Sequence, residues 1–321
     1  MITVTDLHVT LRSARGEVEA LRGLSFALQR GHTLGLIGES GSGKSLTALA
    51  LIGLLPDGAR AAGSVRFQER ELLVQDEAAW CRLRGDRIAM VFQEPMTALN
   101  PLHPIARQIA EPLRLHRGLG TAAARAEALR LLDRVRLADA RARLDAYPHQ
   151  LSGGQRQRVG IAIALACAPD VLLADEPTTA LDATLQRELL GLLRELVRED
   201  GMAMLLISHD LGLMAEHSDE LMVMYGGRIV EAGPTAALAA RAAHPYTRAL
   251  QAARPRLGAQ AHRAGARLPT IPGSVPALAD LPPGCPYADR CAEAVEACRA
   301  AVPPAVVVAP GHAAACLRIV R

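Results

Sequence analysis

Lysine is almost absent from this 321-residue chain: among its 36 basic residues, Lys44 is the single one that is not arginine. Asparagine also occurs once, at Asn100. No apolar run is long enough to span a bilayer. The most apolar stretch, Val159 to Ala174, is broken by Pro169 and Asp170 and falls short of the roughly 18 to 20 residues that a spanning helix needs. An export signal is missing too, because Met1 to Val9 alternates apolar and polar residues like a strand instead of running basic, then apolar, then small. Nor is there a charge of one sign to recruit nucleic acid: 36 basic residues against 33 acidic leave a net charge of +3. These absences predict a soluble chain whose membrane contacts, if any, come through a partner. What is present is apolar material, half of the residues, enough to bury the core of one large or two modest domains.

A position that resists arginine suggests a tight pocket for a compact charge, since a planar guanidinium is wider than an ammonium. Lys44 lies in Gly38-Glu39-Ser40-Gly41-Ser42-Gly43-Lys44-Ser45, after the apolar run Thr33 to Ile37 and before the helix-forming Leu46 to Leu55. Strand, glycine loop and helix in that order form a cradle for phosphate: glycines let successive N–H groups point inward, and the helix start adds its positive end. Lys44 would reach the β- and γ-phosphates, and Ser45 would offer its hydroxyl to Mg²⁺. Downstream, Asp170 to Pro177 reads as a short buried parallel strand ending in Asp175 and Glu176, and ligands gather at such strand ends. Asp175 would hold Mg²⁺ through water, while Glu176 could polarise a water attacking the γ-phosphate.

Leu151-Ser152-Gly153-Gly154-Gln155, followed by the helix-forming Arg156 to Ala168, is on its own a capped helix start and a second anion cradle. After the phosphate loop it resembles the signature of ATP-binding cassette (ABC) ATPases. Gln93 after the strand Ile88 to Phe92, Asp182 in Thr179-Ala180-Leu181-Asp182, and His209 after the strand Met204 to Ile207 match the rest of that family's pattern. The resemblance implies an α/β fold: a P-loop NTPase (RecA-like) core with an N-terminal antiparallel β subdomain, a helical signature subdomain and a small cysteine-containing C-terminal extension. It implies an ATPase using ATP and Mg²⁺, with two cassettes docked head to tail so that each signature closes over the partner's γ-phosphate. Gln93 would then sense Mg²⁺ and the water, His209 would contact the γ-phosphate, and Asp182 would link the two sites. One departure is the missing aromatic for stacking adenine in Ser13 to Val18; Arg15 or Val18 could take that place.

Residues 1 to about 30 and Gly63 to Gln68 alternate like antiparallel strands, and the segment from Glu94 to Gln150 turns helical over Arg107–Leu115 and Thr121–Leu137. Domain boundaries follow at 1–235 for the ATPase, with its helical part at about 94–155, and 236–321 for the extension. Glu94 to Pro101 reads as the surface that receives a coupling helix from a membrane subunit, and it looks like that of the dipeptide, oligopeptide and nickel importer branch. His244-Pro245-Tyr246-Thr247-Arg248-Ala249-Leu250 resembles the extension that marks the peptide importers. That implies a peripheral protein on the cytoplasmic face of the inner membrane, paired with a second, related ATPase subunit, two permease subunits and a solute-binding protein, with no nucleic acid. Import of nickel or another small solute, a soluble ATPase acting on ribosomes or DNA, and a metal- or redox-sensing switch remain alternatives.

Cys285, Cys291, Cys298 and Cys316 crowd into the extension, while Cys81 and Cys167 lie scattered in apolar surroundings and are expected to be packing residues. Disulfides are disfavoured in a cytosolic chain, and the gaps are wider than a zinc knuckle. The resemblance implies a four-iron, four-sulfur cluster on these thiolates; zinc, or no metal, stays open.

Overall fold

A computed structural model describes residues 1–13, 16–93, 98–179, 181–253 and 270–319. Two sheets organise the chain. The smaller is antiparallel, in the order β2-β1-β4-β5, from β1 (Ile2–Ser13), β2 (Gly16–Leu28), β4 (Arg60–Phe67) and β5 (Arg70–Glu71). Its inward residues, among them Ile2, Leu7, Leu21, Leu24 and Val65, share one core with α1 (Lys44–Leu51) and α2 (Glu77–Leu83), which is the one-sided burial that alternating sequences produce.

The larger sheet has eight strands in the order β11-β12-β10-β9-β3-β8-β7-β6. β3 (Thr33–Ile37), β6 (Ile88–Val91), β7 (Val171–Asp175), β8 (Ala203–Ile207) and β9 (Glu220–Tyr225) run parallel. Every residue of β3, β7 and β8 is buried, because helices cover both faces; hence their sequences are apolar runs without alternation. Register then decides where the chemistry sits. Leu36 pairs with Ile207, and Ile207 with Asp175, so the C-terminal ends of β3, β8 and β7 are level. The residues that follow them, Gly38, His209 and Glu176, leave the sheet at one edge.

The helical layer holds α3 (Ile105–Arg117), α4 (Thr121–Arg134), α5 (Ala140–Arg143) and α6 (Gly153–Leu165). Ile105, Ile109 and Leu113 pack with Ala124, Ala128 and Leu131 into the second core. α4 stops three residues before the expected Leu137, because Arg136 takes a left-handed φ of 56°. Then come α7 (Ala183–Asp200), α8 (Leu211–His217), β10 (Arg228–Pro234), α9 (Thr235–Ala240) and α10 (Pro245–Ala253). α11 (Glu296–Ala300) precedes a hairpin of β11 (Val306–Ala309) and β12 (His312–Ala314). β12 pairs antiparallel with β10, Glu231 opposite Ala314, so this hairpin extends the same sheet that carries the nucleotide strands.

Cys167 is buried, but Cys81 is exposed, its Sγ 3.6 Å from Glu77 Oε1. The expectation of packing fails there because Trp80, one residue earlier on α2, takes the inward face and lies against Gly53. Ala14, Arg15, Glu94 to Thr97 and Ala180 lie outside the described residues, so the adenine role of Arg15 and most of the coupling segment are not placed; Val18 is partly buried on β2.

Candidate functional site

The phosphate loop runs from the end of β3 into α1. Gly43 caps that helix with φ of 105°, in the left-handed region, and a Cβ there would stand 2.7 Å from Leu21 Cδ2 and 2.8 Å from Met224 Cε. Both conformation and space demand glycine. Ser40 and Gly41 form the exposed tip, and Ser42 is buried beneath. Lys44 is 6% exposed, and its Nζ donates to the carbonyls of Gly38 at 2.8 Å and Glu39 at 3.0 Å. Burial pushes its pKa down, opposed by the charges of Glu176, Asp175 and Glu39. The ammonium thus rests on its own loop, within the field of three carboxylates.

Asp175 ends β7. Burial pushes its carboxyl upward, while a hydrogen bond from Ser45 pulls it down. Its Oδ1 is buried without a hydrogen-bond partner. A buried carboxylate oxygen left unpaired beside a serine hydroxyl is costly unless a cation or its water takes it up, so Asp175 and Ser45 fit the Mg²⁺ that accompanies a nucleoside triphosphate.

Glu176, next in the chain, adopts φ of 44°, an uncommon conformation for a residue with a side chain. Its Oε2 receives a bond from Gln93 Nε2 at 3.2 Å and from Thr179 Oγ1 at 3.0 Å, and lies 3.3 Å from His209 Nδ1. The sheet therefore brings Lys44, Asp175, Glu176, Gln93 and His209 to one place, on the ends of four parallel strands. Thr179 was not singled out by the sequence; only its three-residue distance from Glu176 hinted at the contact.

Leu151 to Gln155 opens α6 at a different place. Ser152 is its N-cap, and the box is closed both ways: Gln155 N donates to Ser152 Oγ at 3.3 Å, and Ser152 N donates to Gln155 Oε1 at 2.9 Å. Leu151 is buried, whereas Ser152 and Gly153 are exposed. A Cβ on Gly153 would meet nothing within 4 Å, and Gly154 has only Leu185 and Leu181 at ordinary contact distance. Asp182 caps α7, accepting from Thr184 N and Leu185 N at 3.0 Å each. Among the described residues no hydrogen bond or ion pair joins Leu151–Gln155 to Gly38–Ser45.

In the extension, Cys285, Cys291, Cys298 and Cys316 all line one small cavity, closed by residues such as His244, Tyr287 and Pro303. Burial is the main cause that raises Cys285 to about 11, and the other three thiols add to it. Among the described residues no three His, Cys, Asp or Glu side chains are placed to hold a single metal ion. The extension also reaches the nucleotide end of the sheet. Arg290 forms a two-pronged ion pair with Glu39 of the phosphate loop, a contact that no sequence pattern announces because 251 positions separate the partners.

Comparison with known proteins agrees with this layout. Residues 21–179 match the model of the ABC transporter family, and residues 230–298 match that of the oligopeptide/dipeptide transporter C-terminal region. The oligopeptide transport ATP-binding protein OppD of Salmonella typhimurium is 47% identical over 321 residues, covering 100% of this chain and 94% of its own length. OppD of Escherichia coli is 46% identical over 321 residues, again covering 100% of this chain and 94% of its own. Among solved structures, the ATP-binding cassette MJ0796, dimeric in a post-hydrolysis state with ADP and Pi, superposes with a TM-score of 0.66 at 28% identity, over 73% of this chain and 99% of that one. Among the described residues no helix is long and apolar enough to cross a membrane.

Proposed function

The chain belongs to the ATP-binding subunits of ABC transporters, and from that membership we propose that it hydrolyses ATP to drive import of dipeptides or oligopeptides through separate membrane subunits. The observation that carries this reading is the gathering of Gln93, Thr179 and His209 on the carboxylate of Glu176, level with Lys44. Lys44 exchanges the carbonyls of Gly38 and Glu39 for the oxygens of the β- and γ-phosphates. Asp175 and Ser45 would hold the accompanying Mg²⁺, which would neutralise phosphate charge there. Glu176 orients and polarises the attacking water, its own position set by Thr179, while Gln93 and His209 flank the γ-phosphate. No group here donates a covalent intermediate, so rate enhancement comes from placement and charge.

Ser152, Gly153 and Gly154 act on the triphosphate held by a second cassette, a reading that the dimeric state of the solved neighbour supports, and Asp182, between Leu181 and Leu185 that lie near Gly154, couples the two sites. The second cassette is a related subunit. A groove between β6 and α3, lined by Leu54, Phe92, Asn100 and Leu115, leaves Phe92 and Leu115 exposed; it suits a short apolar helix from a permease at the cytoplasmic face of the membrane, with a solute-binding protein completing the system. Domain limits at 1–235 and 236–321 serve this division of labour.

The four cysteines of the extension hold a four-iron, four-sulfur cluster in this reading. The gathering of all four thiols around one small cavity supports it. When bound, the cluster supplies positive charge that draws protons off the thiols and ties four separate stretches together. The test is twofold. Glu176→Gln in the purified chain should keep nucleotide binding and lose turnover, and normal turnover there overturns the assignment. Anaerobic purification should give a brown protein with iron and sulfide; a colourless, metal-free one removes the cluster but leaves the ATPase reading intact.

A further inference from the structure

Glu39 is an acidic residue in a loop that must receive a triphosphate. Its carboxylate adds to the field at Lys44, and bare it would repel the incoming phosphates. The extension covers it. Arg290 Nη1 donates to Glu39 Oε2 at 2.5 Å and Nη2 to Oε1 at 3.0 Å, the paired fork that guanidinium and carboxylate make best. Two further donors of Arg290 are taken: Nε by the carbonyl of Pro272 at 2.8 Å, and the second hydrogen of Nη1 by Tyr225 Oη at 3.2 Å. Its guanidinium lies over the rings of Tyr225 and Tyr287 at 5.8 and 6.0 Å. The Arg290 side chain is only 6% exposed, so it is fixed where it is.

A second contact reaches the same residue by its backbone. Glu39 N donates to the hydroxyl of Tyr246, a side chain with no exposure, at 2.9 Å. Glu39 in turn lends its carbonyl to Lys44 Nζ. A continuous chain of bonds therefore runs from the extension, through Glu39, to the one lysine of the nucleotide site. Arg290 is also the neighbour of Cys291, on the wall of the four-cysteine cavity.

We propose that Arg290 and Tyr246 are positioning residues for nucleotide binding: the extension neutralises Glu39 and holds the phosphate loop in the shape that admits a triphosphate. This rests on the nucleotide-site reading above. Neither residue touches substrate; they act on the loop before and during binding, and so affect affinity more than the chemical step.

The full-length chain is titrated with a fluorescent ATP analogue, and ATPase activity is measured in parallel. Arg290→Gln should weaken binding and raise KM about tenfold, with kcat within about threefold of the parent, because it uncovers a carboxylate beside the phosphate site. Adding Glu39→Gln to Arg290→Gln should return affinity to within about threefold, since the charge that needed neutralising is gone. A purely structural role for Arg290 predicts no such rescue, and its absence overturns the proposal, as does an unchanged KM. If Arg290→Gln yields no soluble protein, Tyr246→Phe carries the test alone: a rise in KM of about two- to fivefold supports the proposal, and an unchanged KM overturns it. A parent chain that binds no nucleotide at all defeats the nucleotide-site reading instead, which keeps the two failures apart.

Discussion

The two glycine-bearing cradles look alike in sequence and differ in what holds them. Around Lys44 the glycines answer to this chain itself: Gly43 has a left-handed φ and Leu21 and Met224 pressed against it. At the start of α6 the chain makes no such demand, since Gly153 has an ordinary φ and open space where a Cβ would go. Alanine is the better helix former there. A glycine without an internal reason points to something that approaches from outside, which is the place the proposal above gives to the partner's triphosphate. The first cradle is a folded necessity; the second is a surface with open space at Gly153.

The largest effect that sharpens this contrast is at Lys44. Lys44→Ala should lower turnover by about a hundredfold or more and weaken nucleotide binding by the isolated chain; Lys44→Arg should do nearly as badly, because the enclosed amine site has no room for a guanidinium. Retained binding in Lys44→Arg would mean that the pocket is not tight and that the scarcity of lysine carries no message. Next is Gly153→Asp, which sets a carboxylate where the partner's phosphate should arrive. Its ATPase activity should fall about a hundredfold, with single-chain nucleotide affinity unchanged in equilibrium titration; a parallel loss of affinity would place the second cradle in the chain's own site and break the comparison. The smallest effect is on stability. Gly43→Ala should cost about 1 to 3 kcal/mol through strain, read as a fall of several degrees in melting temperature, whereas Gly153→Ala should leave stability unchanged or raise it by no more than about 1 kcal/mol.

Lys44, Glu176 and Ser152 were legible in the sequence because each owes its place to residues beside it: a strand before, a turn, a helix after. Gln93 and His209 were legible only through the order of such segments, and the register of β8, β7 and β6, with Val91 opposite Ala174 and Ile207 opposite Asp175, supplies the reason they meet. Contacts made across the chain left no local trace. Tyr246 on Glu39 and Arg290 on Glu39 depend on how finished elements pack, and an arginine in a chain full of arginine does not advertise itself. Cys81 shows the converse, since apolar neighbours in sequence do not decide which face of a short helix turns inward.

The pairing of β12 with β10 has a consequence for synthesis. On the ribosome β10 is made well before His312 to Ala314, and until those residues emerge its outer amides and carbonyls have no strand to bond with. An edge in that condition invites pairing with another nascent chain. Shortened products that stop after α10 keep every nucleotide-contacting residue proposed above, yet they leave this edge open; they should therefore clump during expression even where the fold around Lys44 is intact.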